Sequence, residues 1–143
     1  GMDDSGEPLW VGHPYAYSLA VLDEYEVPTY LFGKSVTVKG FVYRTAGQLH
    51  IAIDTPILFD KGLAFSTNGY IYARETQDKL RKFLDWEITI RVYGNDHDLA
   101  QKEAEMFRDY LEEDLHLKKG TIAAKGYPPD KNRYNRMEVT AVK

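Results

Sequence analysis

Residues 87–104 read Glu87-Ile88-Thr89-Ile90-Arg91-Val92-Tyr93-Gly94-Asn95-Asp96-His97-Asp98-Leu99-Ala100-Gln101-Lys102-Glu103-Ala104, and the hydrophobic period changes within them. From Glu87 to Tyr93 apolar and polar residues alternate, the period-2 pattern of a half-buried strand, and Gly94 ends it. Beyond the polar loop, Ala100, Ala104, Phe107, Leu111 and Leu115 recur at steps of four, three, four and four. That spacing predicts one face of a helix of about four turns, with Asp98 as its N-cap and Gly120 near its end. A strand running into a helix through a short polar loop is the local unit from which the rest is read.

Downstream, Thr121 to Ala124 and Met137 to Val142 read as two further strands, joined by a turn region at Gly126-Tyr127-Pro128-Pro129-Asp130. Upstream, Ser66, Thr67 and Asn68 offer capping oxygens to a helix carrying Tyr72, Gln77, Leu80, Phe83 and Leu84, predicted to run to about Asp85. Pro56 opens Ile57-Leu58-Phe59-Asp60, predicted as a short buried strand. Before it, Val36, Val38 and Val42 are followed by the Thr45-Ala46-Gly47-Gln48 turn and by Leu49, Ile51 and Ile53. That reads as a hairpin over roughly 35–43 and 48–54. Residues 9–32 are Tyr-rich, interrupted by Pro14 and Pro28, and Tyr15, Leu19, Leu22 and Tyr25 suggest a short amphipathic helix. The order from residue 57 is β-α-β-α-β-β, an α+β chain. The expected division is an N-terminal segment, 1–34, and a single domain, 35–143, whose core is 57–143.

Composition narrows the class. The 143 residues are 43% hydrophobic and 28% charged, a balance that excludes disorder for most of the chain. Net charge is −4 with a pI of about 5.6, so no broad nucleic-acid or anionic-membrane surface is expected. No apolar run reaches the ~18–20 residues that span a bilayer, so this segment inserts into no membrane. Cys is absent, which removes disulfides and thiolate chemistry and suits either the cytosol or the periplasm. Gly1-Met2 resembles the remnant of a cleaved tag, and residues 2–8 lack the basic and apolar regions of a signal peptide. Residues 118–143 hold seven Lys or Arg against two acids, net +5, which leaves −9 for the remainder. Such a basic end is either an anion-binding face or a solvated surface.

No set of side chains reads as a catalytic centre. Asp96, His97 and Asp98 could form an acid/base or metal cluster, but three polar residues between strand and helix more simply make a capped turn. His13, His50 and His116 lack metal-ligand spacing, so no metal is expected. No nucleophile elbow or phosphate-cradling Gly loop is present, and no cofactor is implied. Arg133, Tyr134, Asn135 and Arg136 form the remaining polar constellation, either a ligand site or charges on an edge strand. The Val-x-Val-x-Gly-x-Val pattern of the hairpin is similar to OB-type barrels, but a basic aromatic face is missing.

Taken together, segments in residues 57–143 resemble the OmpA-like domain of OmpA, Pal and MotB proteins. Ile57-Leu58-Phe59-Asp60 is similar to its opening aliphatic-Phe-Asp strand, and Ile90-Arg91-Val92-Tyr93-Gly94 to the strand before its Gly-His-Thr-Asp loop. Leu99-Ala100-Gln101-Lys102-Glu103-Ala104 with Arg108-Asp109-Tyr110-Leu111 is similar to its Leu-Ser-x-x-Arg-Ala helix. Gly126-Tyr127 matches its Gly-Tyr-Gly turn, and Asn135-Arg136 followed by Met137-Glu138-Val139 resembles its closing Asn-Arg-Arg-Val-Glu. The resemblance implies a two-layer sandwich of helices on a mixed sheet, here preceded by the hairpin and the Tyr-rich segment. It also implies a non-catalytic, peptidoglycan-binding module of a Gram-negative envelope, in the periplasm or at the outer membrane. A true start at Met2 would instead place the chain in the cytoplasm.

The departures fall in the ligand motif. In the family, a loop acid and the helix Arg hold the diaminopimelate of peptidoglycan, the guanidinium gripping its carboxylate. Here Asp96 or Asp98 can supply the acid, but Glu103 stands where the Arg is expected, and Lys102 points roughly 100° away around the helix. Pro128 replaces the second Gly and Met137 the second Arg. Candidate ligand residues are therefore Asp96, His97, Asp98, Arg133, Asn135 and Arg136, with peptidoglycan binding expected to be weak or lost. The alternative is an assembly module of an envelope or secretion complex, using the same fold to bind envelope proteins.

Overall fold

The computed structural model describes residues 9–60, 63–129 and 135–143. In chain order its elements are β1 (Pro14–Tyr15), β2 (Ser18–Leu22), β3 (Pro28–Phe32), β4 (Val36–Thr37), β5 (Gly40–Thr45), β6 (Gln48–Asp54), α1 (Thr55–Leu58), β7 (Phe59–Asp60), β8 (Ala64–Phe65), α2 (Thr67–Leu80), β9 (Glu87–Tyr93), α3 (His97–Asp114), β10 (Ala123–Tyr127) and β11 (Arg136–Val142). Five of the strands form one mixed sheet in the order β10-β9-β11-β6-β5, parallel between β10 and β9 and antiparallel elsewhere. The fold is α+β, with helices on one face of this sheet.

Strand alternation builds the core. On β11, Met137, Val139 and Ala141 face the helices, opposite Ile53, Ile51 and Leu49 of β6 and Val92, Ile90 and Ile88 of β9. All nine are buried with Leu58, Ala73, Leu80, Ala104, Phe107 and Leu111. Each large apolar side chain removed from water contributes about 1.5–3 kcal/mol before the entropy of ordering is subtracted. The second strand of the expected hairpin is thus internal to the sheet, and the apolar core reaches upstream of residue 57.

Polar contacts tie α3 to β10. Glu112, buried in the last turns of α3, accepts from Gly120 N at 3.0 Å and from Ile122 N at 2.8 Å. Gln101 Oε1 accepts from Gly126 N at 2.8 Å, while its amide donates to Glu105. Near the start of α2, Ser66 Oγ donates to Ile57 O and accepts from Gly69 N, seating the helix on α1.

Several expectations need correction. Residues 9–32 contain no helix; β2 pairs with β3 around a turn in which the Asp23 carboxylate accepts from Tyr25 N and Val27 N, both at 2.9 Å. Pro28 cannot donate to a helical ladder, and the Asp23 turn offers the backbone a competing set of bonds. Residues 55–58 are a helical turn with Pro56 near its start, and only Phe59–Asp60 is strand. Pro is pre-organised for that first-turn position. Helix α2 stops at Leu80, because Phe83 N turns back to Leu80 O at 2.8 Å and sets Phe83 against Trp86. Helix α3 is capped by Asp96, not Asp98, and ends at Asp114, well before Gly120, with His116 in the left-handed region at φ 55°. Gly126 and Tyr127 belong to β10 instead of a turn, and β5 begins only at Gly40, Val36–Thr37 pairing with β1.

A Cβ on Gly69 would lie 1.9 Å from Leu58 O, so α1 and α2 approach as closely as a glycine allows. Gly69→Ala is therefore expected to destabilise the domain by about 1–3 kcal/mol through overpacking, read as a lower urea midpoint at unchanged slope.

Candidate functional site

At the end of β9 the chain leaves the sheet through Gly94-Asn95 and enters α3 at its cap, Asp96. The Asp96 carboxylate accepts from Leu99 N at 3.0 Å, satisfying one of the unpaired amides of the first turn. Glu103 lies seven residues further on, two turns along the same helix face. Facing them are the α1–β7 segment and the start of β11. Together they enclose a cleft of about 340 Å3 lined by Thr55, Asp60, Tyr93, Asp96, Glu103 and Asn135, with Phe59, Leu63 and Leu99 among its apolar walls.

The cleft is acidic. Burial first, and then the nearby Asp96 carboxylate, push the Glu103 carboxyl up from 4.5 to about 7. Around neutral pH the side chain therefore exchanges between an acceptor-only carboxylate and a neutral acid able to donate. Asn135 O accepts from Thr55 N at 3.2 Å, joining β11 to α1 across the cleft floor. Thr55 Oγ1 is buried and makes no hydrogen bond among the described residues. The lining side chains can donate and accept hydrogen bonds, but among the described residues no Lys or Arg reaches the cleft to receive a carboxylate. Nor do the described residues bring three or more metal-ligating side chains together.

The sequence candidates separate in space. Asp96 and Asn135 line the cleft. His97 and Asp98 stand exposed on the first turn of α3, 3.8 Å apart, and do not line it. Arg133 lies outside the described residues. Arg136 is directed to the opposite face of the sheet: it is 2% exposed, its Nε donates to Glu138 Oε1 at 2.7 Å, and its guanidinium lies 3.9 Å over the Tyr93 ring. Of the positions that depart from the family pattern, Glu103 lines the cleft, Pro128 follows β10 on the surface, and Met137 is a core residue. Thr55, Asp60 and Tyr93 were not singled out as ligand residues. Asp60 and Tyr93 lay within segments that carried the resemblance, but nothing in the sequence around Thr55 marks it.

Solved structures share this architecture. The cell wall anchor of the T6SS from Pseudomonas aeruginosa superposes with a TM-score of 0.63 at 16% identity, covering 73% of this chain and 87% of that one. An outer membrane protein from Borrelia burgdorferi B31 gives 0.60 at 21% identity, covering 73% and 97%. The OmpA-like domain of FopA1 from Francisella tularensis gives 0.54 at 14% identity, covering 73% and 81%. No family model and no curated protein matches the sequence. The chain has the OmpA-like fold. Among the described residues no helix is long and apolar enough to cross a membrane.

The raised Glu103 carboxyl has a signed consequence. Between about 4.5 and about 7 the folded state holds a proton that the unfolded chain has released, so stability falls as pH rises through that window and levels off above it. Glu103→Gln keeps the neutral shape at every pH. Its thermal midpoint is expected to exceed that of the parent above pH 7 and to converge with it below pH 4.5.

Proposed function

We propose that this chain is a non-catalytic cell-envelope module whose grip on peptidoglycan is weakened or lost. The observation that carries the reading is Glu103, which lines the cleft beside Asp96 at the position where the resemblance calls for arginine. A diaminopimelate carboxylate entering there meets Asp96 and a part-ionised Glu103 instead of a bidentate guanidinium. Its ammonium still finds acids, so the cleft offers half of the expected recognition. The OmpA-like neighbours, among them a cell wall anchor, support an envelope setting.

Calorimetric titration with meso-diaminopimelate should show no saturable binding in the micromolar range for the parent chain. Glu103→Arg should raise affinity at least ~10-fold, since a paired guanidinium replaces a repelling acid. Micromolar binding by the parent that disappears in Asp96→Ala would overturn the reading.

A second reading, an assembly module that binds envelope proteins, is favoured by the β2–β3 hairpin. All ten of its strand residues are exposed, and Phe32 is 82% exposed with Leu19, Leu22, Tyr30 and Leu31 beside it. A lone two-stranded hairpin gains little stability by itself, and its unpaired edges are templates for another strand. On this reading, light scattering and crosslinking in lysate detect a complex that Leu19→Ser with Phe32→Ser abolishes. A chain that stays monomeric and captures nothing counts against it.

A further inference from the structure

The sheet face away from the helices holds a second concavity that the proposed function does not use. Residues 9–11 lie across this face, strapped down where Gly12 N donates to Val38 O at 2.8 Å and Val38 N to His13 O at 3.3 Å. Between strap and sheet is a groove of about 580 Å3, walled by Trp10, Val11, Val38, Phe41 and Tyr43. That volume lies in the ~300–1,000 Å3 range of small-molecule sites, and its apolar walls with few polar groups have the usual composition of one. Tyr43 stacks on His50 with ring centroids 4.5 Å apart and planes within 2°, which stiffens the floor.

Among the described residues the acids and guanidinium groups lining the groove are Arg91, Arg136 and Glu138. Arg136 spends its Nε on Glu138, but Nη1 and Nη2 are both buried and find no hydrogen-bond partner among the described residues. Its cross-strand neighbour Asp54 accepts from Lys39 Nζ at 2.8 Å and makes no hydrogen bond to either nitrogen. Stacking on Tyr93 neutralises none of the charge and satisfies neither nitrogen. Buried guanidinium N–H groups without acceptors are costly, and native structures rarely leave them so.

We propose that this groove binds a small amphiphilic carboxylate, its two oxygens accepting from Nη1 and Nη2 of Arg136 and its apolar body lying along Trp10, Phe41 and Tyr43. Two parallel N–H donors match the two oxygens of one carboxylate. Among the described residues of the lining two arginines face one glutamate, and that single excess positive charge suits a monoanion better than a phosphate dianion. Because both nitrogens are buried, the head group reaches them only as the groove opens, and the wall free to move is the 9–13 strap, tied to Val38 by the two bonds of Gly12 and His13. This site is separate from the acidic cleft and stands whether or not peptidoglycan binds there.

Trp10 reports on the groove, and Trp86, the other tryptophan, is removed by Trp86→Phe. Titrating that variant with sodium octanoate should give a saturable change in Trp10 fluorescence, with octanol, which shares the body but lacks the charge, at least ~10-fold weaker. Arg136→Met should weaken octanoate at least ~10-fold while leaving octanol unchanged. Thr140→Glu, which adds an acid to the groove lining, should do the same and serves if Arg136→Met fails to fold. Inorganic phosphate should not displace octanoate. Absence of saturation, equal affinity for octanol, binding unaffected by either substitution, or displacement by phosphate would each overturn the proposal.

Discussion

The contact on which the arrangement depends is the approach of α3 to β10 at Gly126. A Cβ there would stand 2.5 Å from Gln101 N, so only a glycine lets helix backbone and strand backbone come this close. Ala100 and Ala104 keep the same helix face small and wholly buried, and the Gln101 side chain fixes the register by accepting from Gly126 N. Held at this distance, the first turns of α3 sit beside the end of β9. The cap at Asp96 and the side chain of Glu103 are thereby brought over Asn135 and Thr55. The cleft is therefore a consequence of small residues chosen for packing, and its acids are carried on a rigid helix instead of a loop.

Periodicity revealed the parts whose burial is one-sided. Glu87–Tyr93 alternates because one face of β9 meets helices and the other does not, and the alternation coincides with the bounds of the strand. The apolar face of α3 was equally plain. What misled was local chemistry with two valid outcomes. Asp96 and Asp98 are both good caps, and the choice falls to whichever carboxylate reaches the amide of Leu99. Tyr15, Leu19, Leu22 and Tyr25 have helical spacing, yet every residue of β2 and β3 is exposed, so no core face exists to enforce a helical period. A pattern read as amphipathic carries information only where something buries one side of it.

The candidate site was legible to the same degree and for the same reason. Glu103 stands out through the resemblance, which expects an arginine at that helix position, and Asp96 through its place in the polar loop between strand and helix. Asn135 and Arg136 were grouped with them because they are neighbours in sequence. In a strand, neighbours face opposite ways. Arg136 therefore lies on the open face and Met137 enters the core, while Asn135, just ahead of the strand, lines the cleft. No composition or spacing argument separates them until the register of β11 against β9 and β6 is known.

That separation places opposite charges on opposite sides of the sheet, and the two sides are not equivalent in what they can tolerate. On the cleft side, a half-buried carboxyl next to Asp96 can shed its charge by taking up a proton, and Glu103 moves toward neutrality for that reason. On the open face, a guanidinium has no such escape, because arginine keeps its proton at any pH at which a protein folds. The charge on Arg136 must be met by a second group. Glu138 meets it at one nitrogen and Tyr93 provides a surface for the plane, and among the described residues the two terminal nitrogens stay buried without an acceptor. Of the two sides, only the cleft can relieve its buried charge by titration.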